Sequence, residues 1–241
     1  MSFHLNSSAP HAFSASTLHE DLVDWGPQPG CLDGTSHSCG RVLHKGPDNC
    51  PEIALWRCTP GRWPLSLDKD ELCHFTGGRA TYTSDHGEVI QVTPGTVVHF
   101  KAGWSGHCHV VETIYVAYML CEGGPASGPT PLLRDALTSP AQKQWGPIPT
   151  MIEGISETSG ILISKEPDGR AESGIWICTP GYWNCHVTSD EFCHFLSGRC
   201  TYQHESGEII EIQPDTAAFF PKGWKGTCRI HETVRKVYMI R

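Results

Sequence analysis

The chain lacks long apolar segments and has fewer basic than acidic residues. Its 241 residues include 18 Lys and Arg against 26 Asp and Glu, a formal net charge of −8. Because nucleic-acid phosphates require a basic surface, this balance argues against a nucleic-acid partner. No run approaches the ~18 apolar residues of a membrane helix, and residues 1–24 lack the apolar core of a secretion signal. We therefore expect a cytoplasmic protein with neither a membrane nor a nucleic acid as partner.

Several catalytic and cofactor motifs are also missing. The sequence contains no Gly-x-Ser-x-Gly elbow, no phosphate-binding loop and no dinucleotide fingerprint, so we expect no nucleotide cofactor. No Cys-x-x-Cys pair occurs among the 12 cysteines, which argues against a structural zinc knuckle. In the reducing compartment that we expect, the cysteines carry free thiols.

The sequence does contain a duplication. Residues 25–121 and 145–241 align without a gap at an offset of 120, and 40 of the 97 paired positions are identical. A unit of this length is too long for a solenoid repeat and suits one small domain. We therefore predict a flexible arm over residues 1–24, a first domain over 25–121, a linker over 122–144 and a second domain over 145–241.

Both halves contain short stretches of β-forming residues between Gly and Pro turns, and no long run has helical periodicity. Many short strands about ten residues apart indicate an antiparallel sandwich or barrel. Gly87 and Gly207 lie in segments typical of hairpin turns with positive φ. One short helix is predicted, in the linker at residues 132–137. The predicted strands are 53–58, 72–75, 80–83, 89–92, 96–100, 108–111 and 115–120, and 175–178, 192–196, 200–203, 209–212, 216–220, 228–231 and 234–240.

Two motifs in each half resemble those of the cupin superfamily. Glu71 precedes Gly78 by seven residues, and Glu191 precedes Gly198 likewise, which is the spacing of the first cupin motif. The Gly-Trp-x-Gly turns at 103–106 and 223–226 resemble part of the second motif. The chain is more closely similar to the (S)-ureidoglycine aminohydrolase cupin-domain subgroup, through its Cys-Thr-Pro-Gly-x-Trp strands at 58–63 and 178–183 and the segment Glu232-Thr233-Val234-Arg235-Lys236-Val237-Tyr238. The resemblance implies an all-β bicupin, with two tandem RmlC-like jelly-roll barrels (double-stranded β-helices).

Cupins usually hold a metal ion through His residues and the Glu of the first motif, and the first barrel lacks these His residues. No His stands shortly before Glu71, and Gly106 and Gly226 occupy the place of the second-motif His. We therefore expect the first barrel to be metal-free.

The second barrel retains more of the ligand set that the resemblance implies. His186 falls at a spacing that the family uses, and strand alternation places Cys193 on the same face as Glu191. Together with Cys228, these residues are candidate ligands for one divalent ion, namely zinc, manganese or iron. The alternative is an exposed His beside a Glu that is satisfied by backbone amides, with no metal.

Glu71 and Glu191 are candidate catalytic residues. A Glu that points into an apolar barrel has a raised pKa and can act as general acid or base, with a thiol at Cys73 or Cys193 beside it. The alternative is that each Glu only begins a strand. His74 and His194 follow these thiols and are expected on the opposite face, at the surface or between the barrels.

Four residues of the second barrel are candidates for substrate binding. Trp183 and Trp224 stand beside turns where aromatic rings can form the wall of a pocket, although core packing is the alternative. Cys193 and Cys228 are expected to point inward beside them. They complete the predicted substrate-binding set.

The sequence leaves two classes of function open. One is a small-molecule enzyme of amine, ureide or specialised metabolism acting in the second barrel. Its reaction is isomerisation, hydrolysis of a C–N bond or metal-assisted oxidation, because the fold alone does not decide the chemistry. The other is a non-catalytic small-molecule-binding or structural bicupin. Exposed strand edges also predict a homodimer.

Overall fold

The protein consists of two antiparallel sheets, each of which forms one barrel. The structure, a computed structural model, describes residues 12–33, 35–46, 50–124, 128–167, 169 and 171–241. Over these ranges it contains nineteen strands and no helix, in one sheet of ten strands and one of nine. The predicted all-β fold of two jelly-roll barrels is thereby confirmed. Within the same ranges no helix is long and apolar enough to cross a membrane.

The first barrel is built mainly from residues of the first half. Its strands are β2 (Val23–Pro27), β3 (His37–Lys45), β4 (Glu52–Cys58), β5 (Gly61–Ser66), β6 (Asp70–Ser84), β7 (Val89–Val92), β8 (Val97–Phe100), β9 (Ser105–Cys121) and β10 (Leu132–Leu133). They pair in the order β10-β8-β6-β9-β4-β3-β2, with β5 beside β9 and β7 beside β6. Apolar side chains that alternate along these strands fill the interior.

The second barrel repeats this arrangement. Its strands are β1 (Phe13–Ser16), β11 (Lys143–Pro147), β12 (Met151–Glu153), β13 (Glu157–Lys165), β14 (Glu172–Cys178), β15 (Gly181–His186), β16 (Glu191–His204), β17 (Ile209–Ile212), β18 (Thr216–Phe220) and β19 (Lys225–Ile240). They pair in the order β1-β18-β16-β19-β14-β13-β11, while β15 joins β19 and β12, and β17 joins β16.

Two long strands in each half unite stretches that the sequence predicts as separate strands. β6 covers both 72–75 and 80–83, and its register against β9 shifts between Phe75 and Ala80. Gly78 lies within this bulge at a φ of 80°, and a Cβ there would lie 2.1 Å from the carbonyl oxygen of Thr113. Only glycine fits, so the strand continues through a bulge where the sequence suggests a break. Gly198 has the same role in β16.

The segment that precedes each half adds a strand to the barrel of the other half. β1, from the predicted arm, pairs with β18 of the second barrel, so residues 13–16 are ordered in a sheet and not loose. β10, from the linker, pairs with β8 of the first barrel, so the predicted helix at 132–137 is wrong. After β10, the Asp135 carboxylate accepts hydrogen bonds from the backbone N–H groups of Leu137 and Thr138, which stabilises a turn.

A third apolar core lies between the barrels, with side chains from both halves. Within this interface His74 and His194 share a hydrogen bond between their Nδ1 atoms at 2.9 Å, and Thr17 contacts the other side of His194. Burial lowers the pKa of His74 to about 4 and lowers that of His194 well below its usual value, so both rings are neutral. The predicted barrel–barrel contact of these residues is confirmed. Because they are equivalent positions of the repeat, they mark a pseudo-two-fold axis.

Candidate active site

The second barrel encloses a cavity of about 480 Å³, a size typical of small-molecule sites. It is lined mainly by aromatic and aliphatic side chains, among which a few charged groups stand. The lining residues are Trp145, Ile148, Thr158, Lys165, Glu172, Trp176, Trp183, Cys185, Val187, Glu191, Tyr202, Phe220, Lys236, Tyr238 and Ile240.

A lysine and a glutamate form an ion pair within this cavity. The Nζ atom of Lys236 donates to Glu191 Oε1 at 2.7 Å and to Cys193 Sγ at 3.1 Å. Its side chain is 6% exposed, whereas that of Glu191 is 21% exposed and reaches the cavity. The Cys193 thiol also contacts Glu191 Oε1, at 3.4 Å. The start of β16 and the C-terminal part of β19 thus place an acid, a thiol and an ammonium together.

Lys236 retains its charge despite burial. Burial by itself lowers the pKa of this ammonium, but the charge of Glu191 and the hydrogen bonds to Glu191 and Cys193 outweigh burial, so that the pKa lies above its ordinary value. The ammonium also lies 4.7 Å from the centre of the Trp176 ring and 5.6 Å from that of Phe195. Both distances suit cation–π attraction, which adds to the stabilisation of the charged form.

A second polar group lines the same cavity. The hydroxyl of Tyr238 donates to Glu172 Oε1 at 2.5 Å, and Lys165 donates to Glu172 Oε2 at 2.7 Å. Burial raises the pKa of Tyr238, and its hydrogen bond to Glu172 raises it further. The phenol is therefore a neutral donor at physiological pH. The cavity thus offers two polar groups, the Glu191–Lys236 pair and the Tyr238–Glu172 pair, among aromatic side chains.

The first barrel has a smaller cavity, of about 340 Å³, which Glu71 lines. Cys73 donates to Glu71 Oε1 at 3.1 Å, as its counterpart does in the second barrel. Burial raises the pKa of Glu71, and the charge of Glu52 adds to this effect. Val116 occupies the position equivalent to Lys236, so Glu71 lacks the ammonium.

The predicted substrate-binding residues of the second barrel divide into two groups. Trp183 lines the cavity, as predicted. Trp224 is fully buried against Phe220 and Tyr202, which corresponds to the alternative of core packing. Cys228 is also fully buried, and burial raises the pKa of its thiol well above the usual value. All twelve cysteines of the chain are free thiols.

His186 lies outside the barrel, where it cannot join Glu191 and Cys193. It is exposed and pairs with Lys225 at the end of β15. The preceding residue, Cys185, points inward and lines the cavity instead, because neighbouring residues of a strand face opposite sides. The predicted ligand set is therefore not assembled, and the exposed alternative describes His186. Over the described ranges, one group of three or more His, Cys, Asp or Glu residues has ligand atoms that all lie within 4.8 Å of one another. It consists of Asp24, His37 and Cys39, on β2 and β3.

The family is identified by one family model that matches most of each half of the chain. The family model of the EutQ-like cupin domain matches residues 46–118 and again residues 165–238. The chain belongs to this family. It is therefore a bicupin, as the sequence motifs indicate, whereas the finer resemblance to ureidoglycine aminohydrolases stays a prediction.

Solved structures support the bicupin fold. A DUF861-family protein from Pseudomonas syringae pv. tomato has a TM-score of 0.69 at 15% identity, with 96% of this chain and 100% of that chain covered. The DUF861 protein YlbA from E. coli has a TM-score of 0.61 at 12% identity, covering 96% and 90%. Bacillus subtilis oxalate decarboxylase, described with Mn(II) centres, has a TM-score of 0.52 at 12% identity, covering 94% and 76%. No curated protein matches the bicupin. At these identities the similarity shows the fold alone.

A metal ion of the kind that cupins hold does not fit the residues of the second barrel. The cavity lining includes no histidine among the described residues, and its one carboxylate beside a thiol already accepts from an ammonium. The Cys193 thiol is protonated, because burial and the Glu191 charge raise its pKa well above the usual value. The cupin ligand set combines neutral histidine nitrogens with the glutamate, and a sulfur ligand would have to be deprotonated; the described residues of this lining offer neither a histidine nor a thiolate.

Sequence reasoning missed Lys236 as a site residue of the bicupin. The residue stands in the closing motif that carries the resemblance, and Val116 replaces it in the first half. Alignment of the two halves therefore identifies Lys236 as a charged residue that the second half alone contains, within a stretch of β-forming residues. Its inward direction also follows from strand alternation, which places Val234, Lys236 and Tyr238 on one side of β19, but a lysine is seldom expected inside an apolar barrel.

Proposed function

We propose that the second barrel is the active site of a small-molecule enzyme in which Glu191 transfers a proton. The observation that carries this proposal is the Glu191–Lys236 pair, at 2.7 Å, inside a 480 Å³ cavity of one barrel out of two similar ones. A carboxylate that reaches a cavity from a mostly apolar wall is suited to general acid–base work. Lys236 then stabilises negative charge that develops on the substrate.

The lining favours two of the three reaction classes. Isomerisation and hydrolysis of a C–N bond require acid–base groups, and Glu191 with Lys236 supplies them. Metal-assisted oxidation requires a ligand set that the lining residues do not form, so we do not propose it. For the substrate, we propose an amine or ureide, a class that is supported by the motif resemblance alone. Tyr238 and Glu172 would bind its far end through hydrogen bonds, while Trp183 packs on its body.

A non-catalytic binding function is the second candidate, and one observation favours it. The ammonium of Lys236 already balances the charge of Glu191, so the pair is stable without taking part in a proton transfer. The homodimer predicted from strand edges remains a prediction under either function.

Incubation of the full chain with separate pools of ureides, amino acids and 2-oxo acids in D₂O tests the proposal by NMR. We expect deuterium incorporation or ammonia release with the wild type, and a loss of about 10²-fold or more with Glu191→Gln. Glu71→Gln is the matched control in the other barrel and should leave turnover unchanged. Unchanged turnover with Glu191→Gln would refute the assignment. Line broadening of a compound without any turnover would establish the binding function instead.

A further inference from the structure

The polar contacts of Lys236 form a complete site for one ammonium ion. Nζ has an anionic oxygen at 2.7 Å, a sulfur at 3.1 Å and the face of the Trp176 ring at 4.7 Å. Two of these partners, Glu191 and Cys193, are those that the sequence assigned to a metal ion. We infer that Lys236 is the resident cation of the second barrel: its ammonium occupies the cation position beside Glu191 and excludes divalent metal ions.

Distances make the two cations mutually exclusive. A metal ion bound to Glu191 Oε1 lies about 2.1 Å from that oxygen. Since Nζ is 2.7 Å from the same oxygen, the two positive centres would lie within about 5 Å of each other. In a buried site such a repulsion is poorly screened. Cys193 offers no alternative, because its sulfur already accepts from the ammonium.

The first barrel shows what the site is without its cation. Glu71 and Cys73 keep their contact at 3.1 Å. Trp56 and Phe75 lie opposite Val116 on the two neighbouring strands, as Trp176 and Phe195 lie opposite Lys236. The acid, the thiol and the aromatic neighbours of the site are thus present in both barrels. Among these four features the ammonium is the one that the first barrel lacks, because Val116 stands at the position of Lys236.

A truncated lysine should leave a site for a free organic cation. In Lys236→Ala the deleted atoms are three methylene groups and the ammonium, which correspond to propylammonium. The vacated space would be bounded by Glu191, Cys193 and Trp176. Propylammonium should bind there, whereas Mn²⁺ and Zn²⁺ should not, because neither a histidine nor a thiolate lies within reach among the described residues.

Thermal unfolding of the full chain tests this inference. At a concentration tenfold above its Kd, propylammonium chloride should raise the Tm of Lys236→Ala by about 3 °C or more over equimolar NaCl. It should not raise the Tm of the wild type or of Lys236→Ala/Glu191→Gln, which is the matched control without the carboxylate. Equal stabilisation of both variants, or none of Lys236→Ala, would overturn the inference.

A measurement on intact Lys236 keeps the test decisive if Lys236→Ala fails to fold. The His37→Ala variant removes a ligand from the surface group on β2 and β3, and its metal content is then determined after purification without chelator. We expect less than one-tenth equivalent of metal per chain. About one equivalent of Mn, Fe or Zn that disappears on adding Glu191→Gln would overturn the inference. Both readouts report cation binding, so a failure of proton transfer by Glu191 is a separate outcome.

Discussion

Glu71 in the first barrel and Glu191 in the second lie at the start of equivalent strands and contact equivalent thiols, but among the described residues only Glu191 has a cationic partner. The two cavities also share a tyrosine–glutamate hydrogen bond, Tyr118 to Glu52 and Tyr238 to Glu172. What differs is the residue between the aromatic rings, which is valine in one copy and lysine in the other. A jelly-roll interior can therefore accommodate a charged lysine while the neighbouring acid, thiol and aromatic residues stay the same.

The difference also alters the state of the acid. Glu71, without an ammonium, has a pKa raised by burial, which favours the neutral acid. Glu191 instead forms an ion pair with Lys236. Two copies of one fold therefore present an acid whose protonated form is favoured by burial in one cavity and an acid paired with an ammonium in the other. Three substitutions separate these situations experimentally.

The largest effect is expected when Lys236 is replaced by the valine of the other barrel. Lys236→Val leaves Glu191 partly buried without its counter-ion, which should lower the free energy of unfolding by about 3–5 kcal/mol. Lys236→Val/Glu191→Gln should lose much less, because no charge is left unpaired. Urea unfolding at neutral pH measures both values. Equal losses in the single and the double variant would show that the pair contributes only packing.

An intermediate effect is expected from the reverse change in the first barrel. Val116→Lys should destabilise by about 1–3 kcal/mol, because a longer side chain is forced into a packed interior. Glu71 should offset part of this loss by pairing with the new ammonium. In a double-mutant cycle with Glu71→Gln, we expect a coupling of about 1–3 kcal/mol between the two positions. A coupling of zero would indicate that the first barrel cannot form the pair.

The smallest effect concerns the pH dependence of Glu71. Its pKa is raised in the folded state, so the stability it contributes is fully present below the ordinary value of 4.5 and is lost as the pH rises through the folded value. Glu71→Gln should therefore gain stability relative to the wild type as the pH increases from 4 to 7, by the order of 1 kcal/mol. Thermal unfolding across this range provides the measurement. A difference between the two proteins that stays constant with pH would contradict the raised pKa.

The fold was predictable because its determinants are local. Turn glycines such as Gly87 and Gly207 adopt positive φ as expected, and the motif spacing from Glu191 to Gly198 identifies the barrel. The exchange of β1 and β10 was not predictable, since it depends on which sheet edge lies close in space. Hydrophobic periodicity carries no information about that choice.

The candidate site was predicted in part. Glu191 and Trp183 reach the cavity, because simple alternation holds near the start of β16 and along β15. His186 fails for the same reason, since it follows an inward residue and must face outward. Lys236 was missed although alternation places it on the same side of β19 as Val234 and Tyr238, because a charged side chain is seldom expected among apolar residues of a barrel interior.

The reciprocal exchange of β1 and β10 has a consequence for the molecule as a whole. The segment before each half supplies an edge strand to the barrel of the other half, and His74 contacts its own repeat-equivalent, His194, which is the geometry of two identical subunits in a homodimer. The chain is thus equivalent to such a dimer with its subunits joined covalently. Joining makes the association intramolecular, so that it persists at any dilution. It also frees the two subunits to diverge in sequence, and a lysine in a single copy is a change that a symmetric dimer could not have made.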